Sequence, residues 1–159
     1  MPACPKPTKK TSERVRRKGT EKRLEQLSKE LMYWRDGYTC VISEIDGGRC
    51  SNIVQWGHII PQKQSPWMVY LIGNTFTQCS KHNLLHHHKD PVYNDWYAYR
   101  FGQKAYHALC QEHRDHIGKA RKLWELEELE AHYVDMLENR PSLSDFDLLV
   151  ELGYYGTWP

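Results

Sequence analysis

The sequence predicts an α+β fold: a small core of short strands and one following helix, flanked by α-helices and preceded by a disordered basic arm. Three observations lead there. Short β-branched and aromatic runs, broken by Gly and Pro, occupy residues 38–75. Apolar residues recur at helical spacing on both sides of that region. Cys40, Cys50, Cys79 and His82 offer three thiolates and an imidazole, a common donor set for a structural Zn²⁺, so the core is expected to be zinc-stabilised.

Each element follows from its residues. Residues 1–19 hold Pro2, Pro5, Pro7 and many Lys/Arg with almost no apolar side chains. Burial there cannot offset chain entropy, which predicts a disordered arm. Leu24, Leu27, Leu31 and Trp34, with the stop signal Asp36-Gly37, predict a helix over 20–37. Residues 38–91 form the core. In it the runs Cys40-Val41-Ile42, Asn52 to Trp56 and His58-Ile59-Ile60 alternate with Gly47-Gly48, Pro61 and Pro66, and a helix starts near Cys79. Residues 92–159 form a helical extension, with helices over 92–112 and 119–139 and a short amphipathic piece from Phe146 to Leu152. Leu123, Leu126, Leu129 and Tyr133 make an apolar stripe beside Glu125, Glu127, Glu128 and Glu130, and Arg140-Pro141 ends that helix. There is no internal repeat.

Charge is unevenly spread. The 159 residues carry a net +2, but residues 1–23 hold nine Lys/Arg against two Glu, and residues 123–159 hold one Arg against nine acidic side chains. A basic arm on a near-neutral body suits a polyanionic partner or a solubilising tail. No run approaches the ~18 apolar residues of a membrane span, and no apolar stretch follows the basic N-terminus as in a secretory leader. Five cysteines, an odd number, read as thiols or metal ligands in a reducing compartment, with Cys4 and Cys110 outside the metal set.

The chemistry-bearing residues cluster between 40 and 89. Cys79-Ser80-Lys81-His82 is a C-x2-H pair at a helix start, which lets two ligands share one metal, and Cys40 and Cys50 complete a tetrahedron unless either is simply a buried apolar thiol. His58 lies in Trp56-Gly57-His58-Ile59-Ile60-Pro61, and Asn74 in Gly73-Asn74-Thr75-Phe76. Asn83 precedes His86, His87 and His88. Asn83 and His87 are four apart on one helix face and can grip one cation, with His86 three residues from Asn83 as a second candidate. Taken singly, these residues also read as a strand histidine, a turn former and a solvated helix face.

Taken together, the order His58, Asn74, then Asn83 and His87 with the interleaved C-x2-H resembles the HNH, or ββα-metal, endonuclease family. Within it the likeness is closest to the NinG (Rap) family of phage recombination proteins. Gly57-His58, Ser65-Pro66 and the run Gly73-Asn74-Thr75-Phe76-Thr77-Gln78-Cys79-Ser80-Lys81-His82-Asn83 carry it, with four residues between Asn74 and Cys79; Phe101-Gly102-Gln103-Lys104-Ala105-Tyr106 is similar too. The resemblance spans roughly residues 35–140, and its specific part is 56–89. It implies a metal-dependent DNA endonuclease that hydrolyses phosphodiester bonds in branched or single-strand-containing DNA, encoded by a phage or prophage and acting in the bacterial cytoplasm. It also implies His58 as general base, Asn74 as the group that fixes the imidazole, and Asn83 and His87 (His86 in reserve) as ligands of a catalytic Mg²⁺ or Mn²⁺, with Ni²⁺, Co²⁺ or Zn²⁺ tolerated. An imidazole near its ordinary pKa of ~6.5 can take a proton from water at neutral pH.

This chain departs from the family pattern twice. Many HNH enzymes place Asp or His before the base as a metal ligand; here Gly57 stands there, as in the NinG-like pattern, so either the cation has fewer protein ligands or Asp90, Asp95 or Glu44 lends one. Ser43 occupies the second Cys position of the first zinc pair, so Cys50 substitutes, and His82 replaces the last Cys. Lys9, Lys10, Arg14, Arg16, Arg17, Lys18, Lys22 and Arg23, with Lys63 and Lys89 in the core, are candidate phosphate contacts. Trp67, Tyr70, Trp96, Tyr97 and Tyr99 serve either hydrophobic packing or base stacking. A homodimer, or other recombination or packaging proteins, are the further partners that fit. Two other functions suit the same residues: an HNH nicking, homing or DNA-packaging endonuclease, and a non-catalytic zinc-stabilised DNA-binding module.

Overall fold

In the computed structural model, residues 9–139 are described. Five helices and one two-stranded antiparallel sheet make an α+β fold: α1 Lys9–Arg35, α2 Ser43–Asp46, β1 Val54–His58, β2 Thr75–Cys79, α3 Ser80–His87, α4 Val92–Asp115 and α5 Leu123–Asn139. Two strands alone are marginal in water, so the sheet depends on the helices that cover it. Phe76 of β2 sits among Trp96, Tyr97 and Phe101 of α4, with ring centroids 5.0–5.7 Å away. On α1, Arg35 covers the same Phe76 ring at 4.0 Å and donates to the carbonyls of Ile72 and Thr75, while neighbouring Asp36 accepts from the Thr77 N–H at 2.6 Å. A salt bridge between Arg35 and Asp36, both almost fully buried, neutralises the two charges.

Helix α1 starts at Lys9, eleven residues before the expected boundary at residue 20, so residues 9–19 are helical rather than a disordered arm. The tertiary partner is α5. Leu24 and Leu31 of α1 are buried, as are Leu126, Leu129, Tyr133 and Met136 of α5, and fully burying each such side chain contributes ~1.5–3 kcal/mol. Along the rim Arg16 pairs with Glu127 at 2.6 Å and Arg23 with Glu130 at 2.5 Å, while Arg17 donates to the Arg121 carbonyl. The acidic helix therefore supports the basic one. The Tyr133 hydroxyl, fully buried, donates to the Tyr70 carbonyl and accepts from the Ile72 N–H, tying α5 to the loop between the strands.

Other boundaries also differ from expectation, among them the start of α5, at Leu123 rather than 119. Cys40-Val41-Ile42 is not a strand; Val41 makes one backbone bond to Thr77 and the chain then turns into α2. Thr75–Cys79 is the second strand, fully buried, whereas the sequence places only a loop and a helix start there. Helix α4 runs three residues past 112 and is broken at Gly102, where φ of +86° is a conformation only glycine adopts without strain. The stretch from Phe146 to Leu152 lies outside the described residues, as does Arg140-Pro141; α5 is described as far as Asn139.

Candidate functional site

Two sites lie at opposite ends of α3. At its N-terminal end, Cys40, Cys50, Cys79 and His82 converge, and their ligand atoms all lie within 4.8 Å of one another. Among the described residues this is the one group of three or more His, Cys, Asp or Glu that does so. The His82 Nδ1 lies 3.4, 3.6 and 3.3 Å from the Sγ atoms of Cys40, Cys50 and Cys79. Tetrahedral Zn²⁺ with metal–sulfur and metal–nitrogen bonds of ~2.3 and ~2.0 Å would set those separations at about 3.5 Å, so the donors fit a structural metal such as zinc. Cys79 caps α3: its Sγ accepts the His82 N–H at 3.4 Å. Burial pushes the Cys79 thiol up, but the backbone N–H groups of His82 and Ser51 outweigh it and hold the thiol at about 6. Burial and the neighbouring thiols push Cys40 up to about 12. A cation among them reverses that cost. On the outer side, His82 Nε2 lies 3.3 Å from Asp46 Oδ2, and Arg49 pairs with the same carboxylate. A carboxylate on the non-ligating nitrogen fixes the ring and its tautomer, a role for Asp46 that nothing in the linear sequence marks.

At the other end of α3 lies a cleft of ≈ 430 Å³ lined by Trp56, His58, Pro61, Gln62, Lys63, Gln64, Asn83, His86, His87 and Lys89. His58, at the end of β1, thus meets the side chains of α3. Its Nε2 lies 2.9 Å from the Val69 carbonyl and 3.3 Å from the Gln62 side-chain amide; a carbonyl can only accept, so in the tautomer that bonds Val69 the Nε2 carries the hydrogen and Nδ1 is bare. His58 is 7% exposed, and burial lowers its pKa to about 4, well below the ordinary imidazole value expected from sequence. Asn74 is fully buried, and its hydrogen bonds go to backbone rather than to the ring. Its Oδ1 accepts the Ile60 N–H at 2.8 Å, and its amide donates to the carbonyls of Ile60 and Met68 at 3.2 Å each. The side chain thereby ties Ile60, two residues after His58, to Met68, the residue before Val69. Asn83 donates to Gln55 at 2.8 Å, which leaves its Oδ1 for a cation. His87 is exposed, and both His86 ring nitrogens are buried without a hydrogen-bond partner, the ring resting edge-on against Tyr93 at 5.1 Å.

None of Asp90, Asp95 and Glu44 lines this cleft. Asp90 accepts the Val92 N–H and pairs with Arg49, Glu44 accepts from Trp96 Nε1 beside a separate hollow, and Asp95 is exposed in the first turn of α4. Position 57 cannot lend a ligand. A Cβ on Gly57 would lie 2.5 Å from Gln78 Oε1 and 2.9 Å from the Phe76 carbonyl. Gly57→Ala is expected to lose roughly 1–3 kcal/mol from overpacking, read as a lower midpoint in urea; an unchanged midpoint would mean that Gln78 yields freely.

The expected nucleic-acid contacts divide. Arg14 and Lys18 are exposed, and Lys63 and Lys89 are exposed at the cleft. Arg16 and Arg17 are engaged within the chain by Glu127 and Glu21. Lys9 and Lys10 lie in the first turn of α1. Among the aromatics, Trp96 and Tyr97 are core, Trp67 stacks on His116 at 3.9 Å under Arg121, Tyr70 stacks on Trp56, and Tyr99 is 74% exposed. No helix among the described residues is long and apolar enough to cross a membrane. No family model, curated protein or solved structure matches this chain.

Proposed function

We propose that the protein is a metal-dependent DNA endonuclease of the HNH type, NinG-like in acting on branched or single-strand-containing DNA, with a zinc-held core. What supports this most is the single cleft in which His58 faces Asn83, His86 and His87 between Lys63 and Lys89. In this role Val69 and Asn74 hold the imidazole so that Nδ1 receives the proton of the attacking water. Asn83 and His87 would hold one divalent cation, with His86 in reserve, and a cation bound there would supply positive charge against the phosphate and the leaving oxygen. Lys63 and Lys89 draw the sugar–phosphate chain into place. The buried imidazole is a weak base in the free protein; an incoming phosphate supplies the negative charge that raises its proton affinity.

The test is cleavage of nicked, flapped, four-way-branched and linear duplex DNA with Mg²⁺, Mn²⁺, Co²⁺ or Ni²⁺. Cation-dependent cutting of the branched or flapped forms is expected. Preference for linear duplex would favour a nicking, homing or packaging enzyme. Tight binding with no cutting under any cation would leave a non-catalytic zinc-stabilised DNA-binding module, in which the buried His58 would serve only to hold the loop at Val69.

A further inference from the structure

The tertiary fold sorts the basic residues of α1 into two faces. At about 100° per residue, Arg14, Lys18, Lys22 and Lys29 share an arc of about 80°, whereas Arg16 and Arg23 lie about 180–200° away from Arg14. The second face is neutralised: Arg16 pairs with Glu127 and Arg23 with both carboxylate oxygens of Glu130. The first face is open. Arg14, Lys18 and Lys22 are exposed, with no ion-pair or hydrogen-bond partner among the described residues. The open face also has a direction. Lys29, toward the C-terminal end of α1, holds its ammonium 5.2 Å from the Trp56 ring, and Trp56 lines the cleft beside His58 and stacks on Tyr70. The carboxylates on this side of α1 are Glu25, which pairs with Lys29, and Glu21, which pairs with Arg17.

We infer that Arg14, Lys18, Lys22 and Lys29 form a track for one nucleic-acid backbone that runs along α1 and enters the cleft past Trp56. The inference rests on the DNA-directed function proposed above and names the surface that serves it. The spacing suits a linear polyanion. Arg14 to Lys29 spans about 22 Å of helix, the rise of roughly six to seven base pairs, with Arg14, Lys18 and Lys22 each about 6 Å apart, close to two base-pair steps. The track continues a line of charge that Lys63 and Lys89 complete at the cleft, with an aromatic wall at the point of entry. Lys29 exchanges Glu25 for phosphate as the chain arrives.

The test measures binding of a labelled flapped DNA by anisotropy, with no added divalent cation so that no strand is cut, over a salt series. Arg14→Gln/Lys18→Gln/Lys22→Gln is expected to weaken binding at least about tenfold and to flatten the slope of log K against log salt by about 2–3, at ~0.9 for each phosphate left without its cation. Arg16→Gln/Arg23→Gln is expected to lower the melting temperature and leave that slope within about 0.5 of the parent, since those charges meet α5. Glu25→Gln is expected to tighten binding. The inference is overturned if both multiple variants flatten the slope equally, if only the Arg16/Arg23 pair does so, or if poly-glutamate competes as well as DNA, which would point to an acidic protein partner. Track-dependent binding without cleavage under any cation would sink the nuclease proposal and leave the track standing; failure of the parent to bind DNA would remove both.

Discussion

Replacing Cys79 by Ser is expected to abolish stoichiometric metal binding and the cooperative thermal transition of the core. The substitution is informative because Cys79 has two roles that Ser separates. As the residue preceding α3 it accepts the His82 N–H, and a serine hydroxyl fills that capping role well. As a donor within 4.8 Å of Cys40, Cys50 and His82 it supplies a thiolate that serine cannot replace. Structural zinc sites in small domains bind with ~10–16 kcal/mol, as large as the whole stability of a domain at ~5–15 kcal/mol. The segment from Cys40 to Cys50 contributes α2 and no strand; besides the metal ligands, Asp46 on His82 is its side-chain bond to α3, and Cys40 and Ile42 are its buried apolar side chains. Metal analysis of the purified parent near one zinc per chain, with a chelator reproducing the loss seen in Cys79→Ser, is the expected outcome. A metal-free variant that melts within ~2 °C of the parent would show that the four donors only fill space.

His58→Gln and His58→Ala are each expected to lose at least ~100-fold in DNA cleavage while binding DNA as the parent does. The two variants separate chemistry from structure. Alanine leaves the Val69 carbonyl without its donor and is expected to cost about 1–3 kcal/mol of stability, whereas the glutamine amide can still donate to it and melts close to the parent. Both lack the free ring nitrogen, so both lose the base. Cleavage by His58→Gln at the parental rate would remove His58 from the chemistry, whatever its effect on folding. The pH profile carries the sign of the same effect. Burial holds the imidazole at about 4, so the ring is already neutral at pH 6, and the acid limb of kcat/KM is expected well below the ~6.5 of a solvated imidazole. An acid limb at 6.5 or above would assign it to another group.

Much of this arrangement is legible in the order of residues. The C-x2-H pair at the start of α3 announces a metal centre because residues three apart at a helix N-terminus must face the same point, and Cys40 and Cys50 reach it because α2 and its following turn are short. Asn83, His86 and His87 reach one cleft for the same local reason: one helix carries them all. The second strand is hidden from a linear reading because Thr75–Cys79 is buried on both faces, which removes the alternation that marks a half-exposed strand. The first eleven residues of α1 have no apolar period, so their helix is hidden too; one of their charges, Arg16, is answered by an acidic helix more than a hundred residues away.

By itself, then, the linear sequence determined the donor types, their spacing along α3 and the sign of charge at each end of the chain, since these depend on covalent order and helical periodicity alone. Only the tertiary structure decided which arginines are spent on α5 and which stay open, that Gly57 has no room for a ligand, and that His58 is desolvated, because each is set by contacts between segments distant in sequence, and no local pattern encodes them.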